Sequence, residues 1–359
     1  MIENKIKNLT VESDTNQGVL IGTNNGLIIN GMNYTDVRAL CLDLIRDEIE
    51  KNKQSALIEA KKRDDELMLK FFEELSKIGI TEDMLKKALE EPAMQIDLIE
   101  AEKSYIKYGN QELKNILSDI LTKRVSENQH TLLQIALGES IKTVPLLLPS
   151  QMATLALCFL LRHTKNFLIN NHVALTNYLT KNILPIYRNG VSKKESEFQH
   201  LSYTRCATIS ISSVSLINIF LNVYTGLFVN GFDLSDVPNS NDGTPLNAKY
   251  PSFFIRCLSN SEKYQINAMD EETLDDRFIQ TKMPDYDQRL IKNLFNNNKM
   301  TPEQAKKKII ELCPEFEEIF EYWDGTSIKN LNLSSVGIVI GAFFASNKTN
   351  QHFDLNIWI

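Results

Sequence analysis

The chain has 359 residues, a formal net charge of −7, 43 % apolar residues and 24 % charged residues. That length can bury a sizeable core as one large or two ordinary domains, and the proportions are those of a soluble globular protein. The acidic balance argues against a generic nucleic-acid coat protein, which would be basic.

The polar residues 1–16 carry no apolar leader core, so they read as a tail and not as an export signal. Two echoes follow: Val19, Leu20 and Ile21 between glycines, then Leu27, Ile28 and Ile29 between Gly26 and Asn30, repeating at a spacing of eight. Thr23, Asn24, Asn25 and Gly26 favour a turn between them. Strands this short cannot bury both faces alone. The expectation for 17–33 is a β assembly element whose six apolar residues are covered by other copies of the chain.

Thr35 then offers a helix N-cap, with Asp36 at the positive end of the dipole. Val37, Leu40, Cys41, Leu44, Ile45 and Ile49 recur at helical spacing as an apolar stripe. It resumes at Leu57, Leu67, Met68, Phe71, Phe72, Leu75 and Ile78 and ends before Gly79, with no proline before Pro92. One long helix, or two in tandem, is expected within a region 34–110 that also holds a connector. The stripe predicts parallel association of copies through Val37, Leu40 and Leu44.

Residues 111–232 read as a central helical core. Leu113, Ile116, Leu117, Ile120, Leu121 and Val125 mark one amphipathic helix, 132–144 a second, and 152–161 a very apolar third. Helices are expected at 172–184 and 193–224. A glycine- and proline-rich excursion at 225–251 marks a subdomain boundary. In 233–359, Thr301, Pro302 and Gln304 stand in the order of a capping box, and Ser334 or Ser335 can cap an apolar helix. The alternation at 353–359 predicts a strand or extended arm. The fold class is therefore mainly α: a multi-helical core with a long N-terminal helix, a short N-terminal β element and a C-terminal extended strand.

Chemistry is faint. No phosphate loop, dinucleotide fingerprint, HExxH or GxSxG occurs, so no catalytic residue and no cofactor is assigned. Five cysteines and five histidines are scattered without zinc spacing, which implies a reducing cytoplasm and no metal site local in sequence. The acids Asp270, Glu271, Asp275, Asp285 and Asp287 are the candidates for a metal-dependent nuclease, if they converge on two ions. Helix-start acids stabilised by the dipole are the simpler reading. A third reading is a ligand-sensing scaffold in which 225–251 closes a pocket.

Segment 206–232 lacks any charged residue and exceeds the ~20 residues that span a bilayer as a helix. Its serines, threonines and asparagines favour a buried core helix. A membrane role would turn those groups inward in an oligomer and present Ile211, Val214, Ile217, Ile219, Phe220 and Val223 to lipid.

Stretches at 24–37 (NNGLIINGMNYTDV), 116–125, 147–161, 200–211, 224–237, 336–340 and 355–359 (LNIWI) resemble a poorly characterised family of bacterial proteins from anti-phage defence loci. That family is similar in outlook to the Abi-alpha abortive-infection proteins. The chain departs at Thr225, where a proline is expected, and at Ser334, where a threonine is expected. The resemblance implies an oligomeric, non-enzymatic effector that perturbs the inner membrane. It also implies control by a neighbouring signalling enzyme through a nucleotide or oligonucleotide product. No catalytic residue is implied.

Overall fold

The computed structural model describes residues 34–127 and 131–359. The chain divides into two compact units, 1–62 and 63–359. The expected β element with Val19, Leu20, Ile21, Leu27, Ile28 and Ile29 lies outside the described residues, as does the side chain of Val37.

In the first unit the described part belongs to helix α1, Tyr34–Lys77, whose 44 residues include neither glycine nor proline. The long helix read from the apolar stripe is one continuous element.

The second unit holds the last turns of α1, where Leu67, Phe71 and Leu75 are buried. Helices α2 (Glu82–Leu89), α3 (Pro92–Tyr108), α4 (Gln111–Ser126), α5 (Leu132–Thr143) and α6 (Pro149–Cys158) follow. Then come α7 (His172–Tyr178), α8 (Leu184–Arg188), α9 (Glu195–Tyr203), α10 (Leu216–Val223) and α11 (Leu246–Lys249). The chain closes with α12 (Glu271–Thr281), α13 (Asp285–Asn297), α14 (Pro302–Leu312), α15 (Phe316–Gly325) and α16 (Ser335–Thr349). Two small antiparallel pairs complete it: β1 (Ala207–Ile209) with β4 (Leu331–Leu333), and β2 (Phe254–Arg256) with β3 (Tyr264–Ile266).

Helices α6 and α16 are apolar on nearly all sides and therefore occupy the centre, where α16 packs on α6, α5 and α4. Gly341 permits the close approach, since a Cβ there would stand 2.8 Å from the Leu155 carbonyl oxygen. Ser334 caps α16 by accepting from Gly337 N, and Thr301 and Gln304 form the reciprocal capping box of α14. Between α3 and α4, Arg124 Nε meets Asp97 Oδ2 at 2.7 Å, pairing a half-buried guanidinium with a buried carboxylate for which Gly138 of α5 makes room. A second, smaller core gathers Phe232, Val237, Leu246, Phe253, Ile266, Leu274, Phe278, Ile291 and Phe295.

Two expectations need correction. Residues 193–224 are not one helix: α9 stops at Tyr203, Arg205 takes a positive φ of 60°, and 207–209 form β1. The break is fixed from outside, because Cys206 O accepts from both the backbone N and Oγ of Ser334, each at 3.0 Å. At the C-terminus, Leu355–Ile357 form a 3-10 turn capped by Asp354 instead of a strand. Phe353 and Trp358 both pack against Phe159, at 5.1 and 5.0 Å between ring centroids. An odd separation would put them on opposite faces of a strand, so the turn is what brings them together. Trp358 Nε1 then donates to His163 O at 2.6 Å.

Candidate functional site

Every residue of α1 from 38 to 59 is exposed. These include Leu40 (46 %), Leu44 (56 %), Ile45 (55 %), Ile49 (63 %), Leu57 and Ile58. Ile45 and Ile49 continue a line that begins at Cys41, whereas Leu40, Leu44 and Ile58 fall on a second line of the same helix. What holds the exposed stretch together locally is slight. Arg46–Asp43, Lys51–Glu48 and Lys53–Glu50 are i,i+3 ion pairs at 3.8, 2.9 and 3.4 Å, all solvent-exposed. Such pairs contribute about 0.2–0.5 kcal/mol each. A lone helix is marginal in water on that basis. Covering one leucine or isoleucine contributes about 1.5–3 kcal/mol, so the apolar lines dominate. Of the residues expected to mediate oligomerisation, Leu40 and Leu44 are thus placed on an open surface.

The residues expected to reach lipid are dispersed. Ile211 is fully exposed in the loop after β1, Val214, Ile217, Ile219 and Val223 are half-buried, and Phe220 is buried. Val214 O accepts from Trp323 Nε1 at 2.8 Å, and Phe220 meets Phe316 edge-on at 5.7 Å. Helix α10 is only 8 residues long and packs on α14 and α15. Among the described residues no helix is long and apolar enough to cross a membrane. The charge-free stretch is therefore not one long helix: it is divided among β1, a loop, α10 and Thr225–Val229, the last of which lines the core. A cavity of about 10 Å³, room for one water, lies among Leu160, Leu161, Thr164, Tyr178, Ile219, Phe220, Val223 and Tyr224. It borders the π-helical turns Phe159–His163 and Leu179–Ile183.

The candidate carboxylates are engaged separately. Asp270 caps α12 through Thr273 N at 2.8 Å and pairs with Lys165. Glu271 meets Lys299 at 3.2 Å, Asp275 meets Lys292 at 2.9 Å, and Asp285 is exposed at the start of α13. Among the described residues no three His, Cys, Asp or Glu side chains gather as a metal site.

Asp287, by contrast, is 1 % exposed and anchors the 225–251 excursion. Its carboxylate accepts from Ser240 Oγ at 2.7 and 2.8 Å and from Tyr250 OH at 2.8 Å, with Lys249 Nζ at 3.2 Å. Burial pushes the Asp287 carboxyl up, but the donors from Ser240, Tyr250 and Lys249 outweigh it and hold it below the usual range. Lys249 Nζ lies 2.7 Å from Ser240 Oγ, the arrangement of a serine–lysine pair. Here the lysine is engaged as a cation: its hydrogen bond to Asp242, with Asp287 beside it, favours the protonated form and raises its pKa. The knot is a latch on the second core. Sequence reading weighed Asp287 but missed Ser240, Lys249 and Tyr250, which no spacing rule connects.

Asp119 of α4 accepts from Asn347 Nδ2 of α16 at 2.8 Å, and burial drives its pKa up to about 6, with Glu74 adding to the rise.

The architecture defines a mainly α, multi-helical protein built on a buried α6–α16 pair. A family model described only as ":-like" matches residues 31–359, and the chain belongs to that family. No curated protein and no solved structure matches the chain.

Proposed function

We propose that the chain is a self-assembling, non-enzymatic effector of a bacterial anti-phage system, and that α1 carries the assembly. The observation behind this reading is the run of exposed helix at 38–59, studded with Leu40, Leu44, Ile45 and Ile49. A helix with that much uncovered apolar surface calls for a partner. The defence role is what the resembling stretches imply. Control by a neighbouring enzyme's nucleotide or oligonucleotide product, and action at the inner membrane, belong to the same proposal. With Leu216, Phe220 and Thr225–Val229 buried in the core, the membrane action in this reading follows from assembly.

The test is protection of bacteria that carry the whole locus. Cells with the wild-type gene should resist phage, and cells with Ile45→Asp and Ile49→Asp together should lose that resistance at equal protein level. Full protection by the double variant would separate α1 from function. No protection by the wild type against a broad phage panel would remove the defence role.

A further inference from the structure

We infer that two copies of the chain pair antiparallel along α1, with Cys41, Ile45, Ile49, Asn52, Ala56 and Ala60 forming the contact line. The inference deepens the proposed self-association and rests on it.

The line has spacings of four, four, three, four and four residues, an eleven-residue repeat that keeps it on one side of a nearly straight helix. Read backwards the spacing is the same, with its centre between Glu50 and Lys51. An antiparallel copy therefore sets Cys41 opposite Ala60, Ile45 opposite Ala56 and Ile49 opposite Asn52. Larger side chains meet smaller ones at every level, and a two-fold axis generates both halves of the contact from one surface. Cys41, Ile45, Ile49, Asn52 and Ala56 are exposed and Ala60 is half-buried.

Charge selects the direction. From 38 to 50 the helix carries Asp43, Asp47, Glu48 and Glu50 against Arg38 and Arg46, and is net negative. From 51 to 62 it carries Lys51, Lys53, Lys61 and Lys62 against Glu59, and is net positive. Parallel copies would set acid beside acid and base beside base, whereas antiparallel copies set each acidic half beside a basic one. The helix dipoles also oppose when the copies are antiparallel. This replaces the parallel association that the stripe alone suggests.

Cysteine cross-linking of the full chain distinguishes the two directions. Cys41 is exposed, and the other four cysteines are buried. In antiparallel pairs the two Cys41 thiols stand about 28 Å apart along the axis, far beyond the Cα separation of about 4–7 Å that a disulfide allows. With copper phenanthroline as the oxidant, the wild type should give no disulfide dimer. Ala60→Cys should convert most of the chain to one, and adding Cys41→Ser should abolish it. A disulfide dimer in the wild type, or in the Ala60→Cys, Cys41→Ser chain, would mean parallel packing and overturn the inference. So would a lack of cross-link in every variant while light scattering still shows an oligomer; self-association would then stand. A chain that is monomeric by light scattering overturns the inference together with the reading on which it rests.

Discussion

Gly337→Ala is expected to destabilise the fold by about 3 kcal/mol, the upper end of what overpacking costs in a well-packed core. Gly337 sits in the first turn of α16, directly over the Cys206 carbonyl oxygen, and an added Cβ would stand 1.9 Å from that atom, far inside any van der Waals contact. The oxygen cannot give way. It accepts from the backbone N and Oγ of Ser334, and the next residue, Ala207, opens the pairing of β1 with β4. Moving α16 outward instead would open its contacts with α6, α5 and α4. Gly325, at the end of α15, is the control, because a Cβ there meets nothing within 4 Å. In denaturant titrations Gly325→Ala should match or exceed the wild type, since alanine is the better helix former, while the Gly337→Ala midpoint falls sharply. Equal midpoints for the two variants would mean that the first turn of α16 does not sit on the Cys206 carbonyl as described.

Asp119→Asn should act in the opposite direction and only above mildly acidic pH. Burial raises the Asp119 carboxyl from 3.8 to about 6. A folded pKa above the unfolded one means that the native state holds its proton more tightly. The group's favourable contribution is complete below about pH 4 and is lost as pH rises through about 6. Ionised Asp119 then costs at most about 3 kcal/mol, from 1.36 kcal/mol per pKa unit. Asparagine keeps an oxygen that can accept from Asn347 Nδ2 and carries no charge to desolvate. The variant should melt several degrees higher than the wild type at pH 8 and at nearly the same temperature at pH 4. A variant less stable than the wild type at pH 8 would mean that the ionised carboxylate is stabilised where it sits.

The parts of the fold that were legible in the sequence are those written in local chemistry. The capping box at Thr301 and Gln304, the cap at Ser334 and the amphipathic period of α4 need only near neighbours to specify a helix. The breaks were not legible, because their causes are remote in sequence. Helix α9 ends where Ser334 and β4 claim the backbone of 206–209, and the C-terminal turn is set by Phe159. The apolar stripe of α1 shows a further limit. Leu67, Phe71 and Leu75 share the character of Leu40, Leu44 and Ile49, yet the first three are buried and the others are open. Periodicity marks a face that must be covered and leaves unstated whether the cover comes from the same chain. The Ser240–Asp287–Tyr250–Lys249 knot was invisible for a related reason, since its members lie up to 47 residues apart.

Self-association through α1 is tested most directly by the solution mass of the intact chain, measured by multi-angle light scattering over a range of micromolar concentrations. The wild type should show at least twice the chain mass. Ile45→Asp with Ile49→Asp should reduce it to a single chain mass while leaving the melting of the second unit unchanged. A wild type that stays at one chain mass, or a double variant that remains oligomeric, would contradict assembly through this helix.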